Sequence, residues 1–89
     1  MYQKKGEVKK TLGQKTEDRL MKYILDKQIE IGEKIPNEFE LAEFFKVGRS
    51  TVREAVKGLV SRGVLEVRRG DGTYVISTVD MENDVLGFG

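Results

Sequence analysis

Arg49, Ser50, Thr51 and Arg53 place four hydrogen-bonding side chains within five residues. Arginine presents a planar fork of donors that can bridge guanine O6 and N7 or grip a phosphate. Serine and threonine hydroxyls reach phosphates and base edges alike. Lys57, one turn further on, adds a point charge suited to phosphate. Such an array works only if it stands outward from a buried face. Val52, Ala55, Val56, Leu59 and Val60 supply that face, recurring at i, i+3, i+4, i+7 and i+8. One side packs and the other holds donors, an arrangement that points to DNA.

A helix over residues 49–62 must hold this array. Gly48 and Ser50 compete as its N-cap, Thr51 with Glu54 fits a capping box, and Gly63 suits a left-handed residue past its end. A shorter helix precedes it. Asn37 is its expected N-cap, with Glu40 three residues on, and Pro36 holds Ile35 extended. Leu41, Ala42 and Phe45 face inward, Phe39 and Phe44 outward, and 46–48 form the turn with Val47 buried. A first helix is expected over 16–28, capped by Thr16, with Leu20, Met21, Ile24 and Leu25 on one face. Lys34 and Ile35 suit a short strand. After Gly63 the period changes to two: 64–68 and 73–76 read as strands around the tip Arg69-Gly70-Asp71-Gly72. The predicted fold is mainly α with a small antiparallel β-hairpin, a winged helix-turn-helix of three helices plus a wing.

Composition narrows the function. Eighty-nine residues allow one small domain. No histidine and no cysteine are present, which removes the commonest general base, the usual metal ligands and any disulfide. No nucleophile–base–orienter arrangement is visible, so catalysis is not expected, and no cofactor or metal is. No apolar run approaches the 18 residues of a membrane span, and no leader pattern opens the chain, so a cytoplasmic protein is expected. The net charge of +1 averages unlike parts. Lys4, Lys5, Lys9, Lys10 and Lys15 crowd residues 1–15, expected to be a flexible basic arm, while Asp80, Glu82 and Asp84 mark the end of the chain. The 49–63 segment carries Arg49, Arg53, Lys57 and Arg62 against Glu54 alone. A local basic face matters more to nucleic acid than the total.

Residues 16–78 resemble the N-terminal DNA-binding domain of GntR-family bacterial transcription regulators. Four stretches carry the resemblance: Ile35-Pro36-Asn37-Glu38-x-Glu40-Leu41-Ala42, Val47-Gly48-Arg49-Ser50-Thr51-Val52-Arg53-Glu54-Ala55, Leu59-x-x-x-Gly63-x-Leu65, and Arg68-Arg69-Gly70-x-Gly72-Thr73-Tyr74-Val75. The resemblance implies that the 49–63 helix enters the major groove of an operator. It implies that the 68–74 wing, with Arg68, Arg69, Gly70, Gly72 and Thr73, meets the flanking minor groove. By the same resemblance Arg49 is the foremost base reader. The intact regulator is then a homodimer, usually a repressor, tuned by a small-molecule effector bound in a separate C-terminal domain. Residues 79–89 resemble the linker that leads into such a domain in the FadR-like subgroup, so the chain is expected to be the DNA-binding part alone. Two positions depart from the family's pattern. Phe39 stands where arginine is frequent, and Gly48 where serine is frequent. Phenylalanine has no donor, so an altered operator preference is expected.

Each candidate also has a plainer reading. Arg53 could pair with Glu54 or Glu38, and Ser50 and Thr51 could serve as caps only. Asn37 could cap without a ligand, or the helix start behind it could face a phosphate. Glu38 repels phosphate and is better read as an orienting partner for an arginine. Gly70 and Gly72 are needed by the turn itself, whereas a slim tip with Arg68 or Arg69 at its base could also enter a minor groove. They form no nucleotide loop, because Val75 stands where G-x-G-x-x-G needs glycine. Phe45 and Tyr74 are read as core. A winged helix used for protein–protein contact is the alternative from another class. It calls for exposed apolar residues on the outer face of the 49–63 helix, where Ser50, Arg53 and Lys57 stand instead.

Overall fold

A computed structural model describes residues 10–78; residues 1–9 of the expected arm and the expected linker from residue 79 onward lie outside the described residues. Three helices and a hairpin follow in order: α1 Leu12–Asp26, α2 Glu38–Phe45, α3 Arg49–Ser61, β1 Leu65–Arg68 and β2 Gly72–Val75. This is the winged helix-turn-helix order.

The first helix starts earlier than the sequence suggested. Thr11, not Thr16, is its N-cap. The Thr11 hydroxyl accepts from Gln14 N–H, and the Gln14 side chain accepts from Thr11 N–H, a reciprocal capping box. Residues 11–15 thus belong to the helix end and not to an arm. Thr16 is fully buried and donates its hydroxyl proton to the Leu12 carbonyl. The helix ends at Asp26, and Gln28 takes a left-handed conformation in the turn beyond.

The second helix begins as expected. Asn37 accepts from Glu40 N–H at 2.8 Å, and Glu40 accepts from Asn37 N–H at 3.0 Å. Its C-cap, Lys46, is left-handed at φ 58°, so the turn bends at a lysine. Val47 is half-buried against the core. Gly48 is the N-cap of α3 and offers no side-chain cap, so neither Ser50 nor a Thr51–Glu54 box fills that role. Both hydroxyls are left for other uses. Gly63 is left-handed at φ 79°, as the helix exit requires.

The core gathers Leu20, Ile24, Leu41, Phe45, Val52, Leu59, Val64, Leu65 and Val75 from every element. Helix α1 lies on α3 at small residues. A Cβ on Gly13 would stand 3.1 Å from Glu54 Cβ, and one on Gly58 would meet the Glu17 carboxylate. Glu17 also accepts from Arg62 at 3.1 Å across the same contact. Val60, expected in the buried stripe, is exposed, because the packed face of α3 narrows to Val52, Ala55 and Leu59 with Val56 beside them.

The hairpin pairs Leu65 with Val75 and Arg68 with Gly72 in antiparallel register. Asp71 N–H donates to the Arg68 carbonyl, closing a turn whose third residue, Gly70, has φ 74°. Arg69 keeps a negative φ, so the turn is of the type that demands glycine at that position. Only the base of the hairpin is buried. Val67 is exposed, so the expected alternation along this strand stops at Leu65. The short strand at 34–35 reduces to a single bridge, Lys34 with Tyr74, flanked by Ile35 N–H to Thr73 O and Val75 N–H to Glu33 O.

Candidate nucleic-acid interface

Burial of Val52, Ala55 and Leu59 turns the opposite side of α3 outward. Arg49, Ser50, Arg53 and Lys57 are exposed there, and Thr51 is half-buried. Neither the Ser50 nor the Thr51 hydroxyl has a hydrogen-bond partner among the described residues, and Lys57 has no ion pair among them.

Glu38 organises the two arginines. Its Oε2 accepts from Arg53 Nε at 2.7 Å and its Oε1 from Arg49 Nε at 3.3 Å. One carboxylate in the first turn of α2 therefore fixes two side chains of α3. The ion pair foreseen as a plain alternative for Arg53 and the orienting role foreseen for Glu38 are one contact. The hydrogen bond from Arg53 leads in holding the Glu38 carboxyl below its usual range, with Arg49 adding to it. The sign follows: folded Glu38 titrates below its unfolded value, so the pairing is intact at neutral pH and is lost as pH falls through that lowered value.

A groove of about 560 Å³ runs between the start of α2, the outer side of α3 and the hairpin. Asn37, Arg53, Lys57, Gly72 and Thr73 all line it, over a floor that includes Leu41 and Val52. Arg49, Ser50 and Thr51 stand at the start of α3, outside the groove lining. Arg68, Arg69 and Gly70 lie at the far end of the hairpin, all exposed. Arg69 has no partner among the described residues, whereas Arg68 donates to Glu66 at 3.3 Å and lies 4.1 Å from the centre of the Tyr74 ring.

Two residues of this surface carried no signal in the sequence. Lys34 reaches the hairpin, with its ammonium 3.4 Å from Asp71. Tyr74, expected in the core, is only half-buried, and its hydroxyl donates to Asp71 at 2.8 Å. Phe39 and Phe44 are exposed as expected, 54% and 58%. Phe44 nevertheless meets Tyr23 and Phe45 edge-on at 5.1 and 5.2 Å, while Phe39 has no ring contact among the described residues. Among the described residues no group of histidine, cysteine or carboxylate side chains could hold a metal, and no helix is long and apolar enough to cross a membrane.

Comparison with known proteins agrees with this geometry. The family model described as "Bacterial regulatory proteins, gntR family" matches residues 12–75. The HTH-type transcriptional repressor NanR of Enterobacter sp. (strain 638) is 38% identical over 67 residues, 75% of this chain and 26% of NanR. A solved structure of Streptococcus agalactiae GntR is 51% identical, covering 85% of this chain and 37% of that one, with a TM-score of 0.72. The AraR DNA-binding domain, solved in complex with operator ORE1, is 33% identical, covering 82% of this chain and 89% of that one, with a TM-score of 0.69. The chain spans about a quarter of the length of the curated relatives it matches. A family match that runs from the first turn of α1 to the last residue of β2 takes in every element of the fold, and the chain belongs to the GntR family of bacterial regulatory proteins.

Proposed function

We propose that this domain binds duplex DNA sequence-specifically as the DNA-binding part of a transcription regulator. The observation that carries the reading is the outer side of α3, where Arg49, Ser50, Arg53 and Lys57 stand exposed over a buried Val52-Ala55-Leu59 face. In this reading α3 enters the major groove with Arg49, Ser50, Thr51 and Arg53 leading. The start of α2, at Asn37, faces the backbone. Arg68, Arg69, Gly70, Gly72 and Thr73 bring the hairpin to the flanking minor groove. The AraR domain held on its operator supports the assignment. In the whole regulator we place a homodimer on a two-fold operator and a small-molecule effector in a further domain, with repression as the output and the cytoplasm as its place. The greater length of the relatives supports the further domain, and the name of NanR supports repression.

Selection from a random duplex pool, then anisotropy titration of the winner and a scramble across salt, tests the proposal. Enrichment of a short motif supports it, and absence of any binding at low salt overturns it. Lys57→Ala is expected to weaken both duplexes alike and to lower the salt slope by about one unit, the signature of a phosphate contact. A loss confined to the selected site would instead place Lys57 on a base.

Phe39 sits beside Glu38 with an exposed ring and no donor. Apolar contact with a thymine methyl is the base readout open to it. Replacing thymines of the selected site one at a time by deoxyuridine is expected to weaken wild-type binding at one position, and Phe39→Ala is expected to be indifferent there. Equal sensitivity of both proteins at every position would remove Phe39 from readout.

A further inference from the structure

The hairpin that should meet the minor groove is short, four residues a strand, and only its base joins the core. Two-stranded hairpins are marginal on their own. From Val67 to Asp71 every residue is exposed, so no apolar packing holds the tip. Polar contacts do. The Tyr74 hydroxyl donates to Asp71 Oδ2 at 2.8 Å, and the Lys34 ammonium lies 3.4 Å from Asp71 Oδ1. Both carboxylate oxygens are thus engaged, one from the hairpin and one from the segment ahead of α2. Lys34 crosses close over Gly72, and a side chain at position 72 would make the lysine chain shift. A Cβ there would stand 2.8 Å from Lys34 Cδ. The same tyrosine ring supports Arg68 on its face, at 4.1 Å.

Asp71 has the wrong charge for the tip of an element that approaches phosphate. Its engagement on both sides gives it another purpose. We propose that Asp71, Tyr74 and Lys34 are positioning residues for the wing: they tie its tip to the segment before α2 and set the Arg68 guanidinium before DNA arrives. This rests on the DNA-binding reading for its purpose, but the tie itself exists in the free protein. The hydrogen bond between Tyr74 and Asp71 holds the carboxyl below its usual range and raises the phenol, so the donor and acceptor roles persist through neutral pH.

Charge alone and the tie predict opposite signs. If Asp71 were only a surface carboxylate, Asp71→Ala would remove a repulsion and tighten binding to every duplex, and Tyr74→Phe would change nothing. The tie predicts that Asp71→Ala weakens binding to the selected duplex despite the lost negative charge, and that Tyr74→Phe weakens it about 3- to 10-fold, the worth of one hydrogen bond. Asp71→Asn, which keeps an acceptor for the phenol, should recover part of the loss. The second readout needs no DNA. Backbone ¹⁵N relaxation of the free 89-residue chain should show residues 69–72 more mobile in Asp71→Ala and Tyr74→Phe than in wild type, with the helices unchanged. Unchanged relaxation at 69–72 together with equal or tighter binding by Asp71→Ala would overturn the proposal. Mobile tips in the variants of a protein that binds no duplex would leave the tie standing and sink the DNA-binding reading instead.

Discussion

Arg49→Ala is expected to lower affinity for the selected duplex by about 1–3 kcal/mol, the worth of a bidentate arginine–guanine contact. That is roughly 5- to 150-fold in dissociation constant. Affinity for the scramble should fall far less. Arg49 is the first residue of α3, and its Nε is already directed at Glu38, 3.3 Å away. The terminal nitrogens of the fork are the part that can face a base. Little stability should be lost with the side chain. Glu38 keeps the shorter bond to Arg53 at 2.7 Å, so no charge is stranded, and solvent screening leaves pairs this exposed with little weight in stability. Arg49→Lys should also fail to restore discrimination, since an ammonium cannot bridge two acceptors in a plane. Glu38→Gln is the useful partner variant. It keeps the shape and loses the charge that aligns both arginines, so discrimination should fall while the scramble is bound as well or better. Titration of the two duplexes at one salt concentration decides the matter. Loss equal on both duplexes would make Arg49 a phosphate contact, and no loss would take it out of the interface.

What the sequence revealed, and what it hid, divides along physical lines. The box of Asn37 and Glu40, the exit at Gly63 and the hairpin glycines are local, each set by a side chain and a backbone a few residues apart. They could be read directly. The start of α1 was equally local, because Thr11 and Gln14 satisfy the same box pattern. It was obscured by its surroundings. The first turns of α1 meet α3 and its C-cap through Gly13 and Glu17, which face Glu54, Gly58 and Arg62, and Thr16 on the same turns is fully buried. A search for apolar periodicity cannot see a face made of glycine, threonine and a paired carboxylate. Val60 and Val67 erred in the opposite direction. Both fit the apolar rhythm, yet both are exposed, with no second layer over them among the described residues.

The candidate surface was legible wherever it lay on one element. The outward side chains of α3 follow from its buried stripe alone. Contacts between elements could not be deduced. That Glu38 would orient an arginine was foreseeable from its charge, but not that it would hold two. Lys34 and Asp71 are far apart in sequence and meet only because β2 bridges to the segment before α2. Tyr74 was assigned to the core on its residue type, and its position one residue before the buried Val75 left it half-exposed on the other face of the hairpin.

Leu59→Ala should show the opposite signature to Arg49→Ala. Leu59 is fully buried, and its carbonyl accepts from Val64 N–H, where the chain leaves α3 for the hairpin. Its side chain belongs to the cluster that joins α1, α2, α3 and both strands. Truncation of a buried leucine costs about 2–5 kcal/mol, the spread reflecting how far the site can collapse. A domain of this length holds roughly 4–13 kcal/mol in all. The variant should therefore lose a large part of its stability and melt about 8–40 °C lower by circular dichroism, at about 4–8 °C per kcal/mol. Collapse is hindered here. Further up the same contact a Cβ on Gly13 would already stand 3.1 Å from Glu54 Cβ, so α1 lies close on α3 there. Below its melting point the variant should bind the selected duplex and the scramble in the wild-type ratio, because the outward side of α3 is untouched. Added specific duplex should raise its melting temperature, since DNA binds only the folded state. A melting point within about 3 °C of wild type would mean that α1 and the hairpin close over the cavity. An altered ratio between the duplexes at unchanged fold would mean that the core of α3 also sets the pose of its arginines.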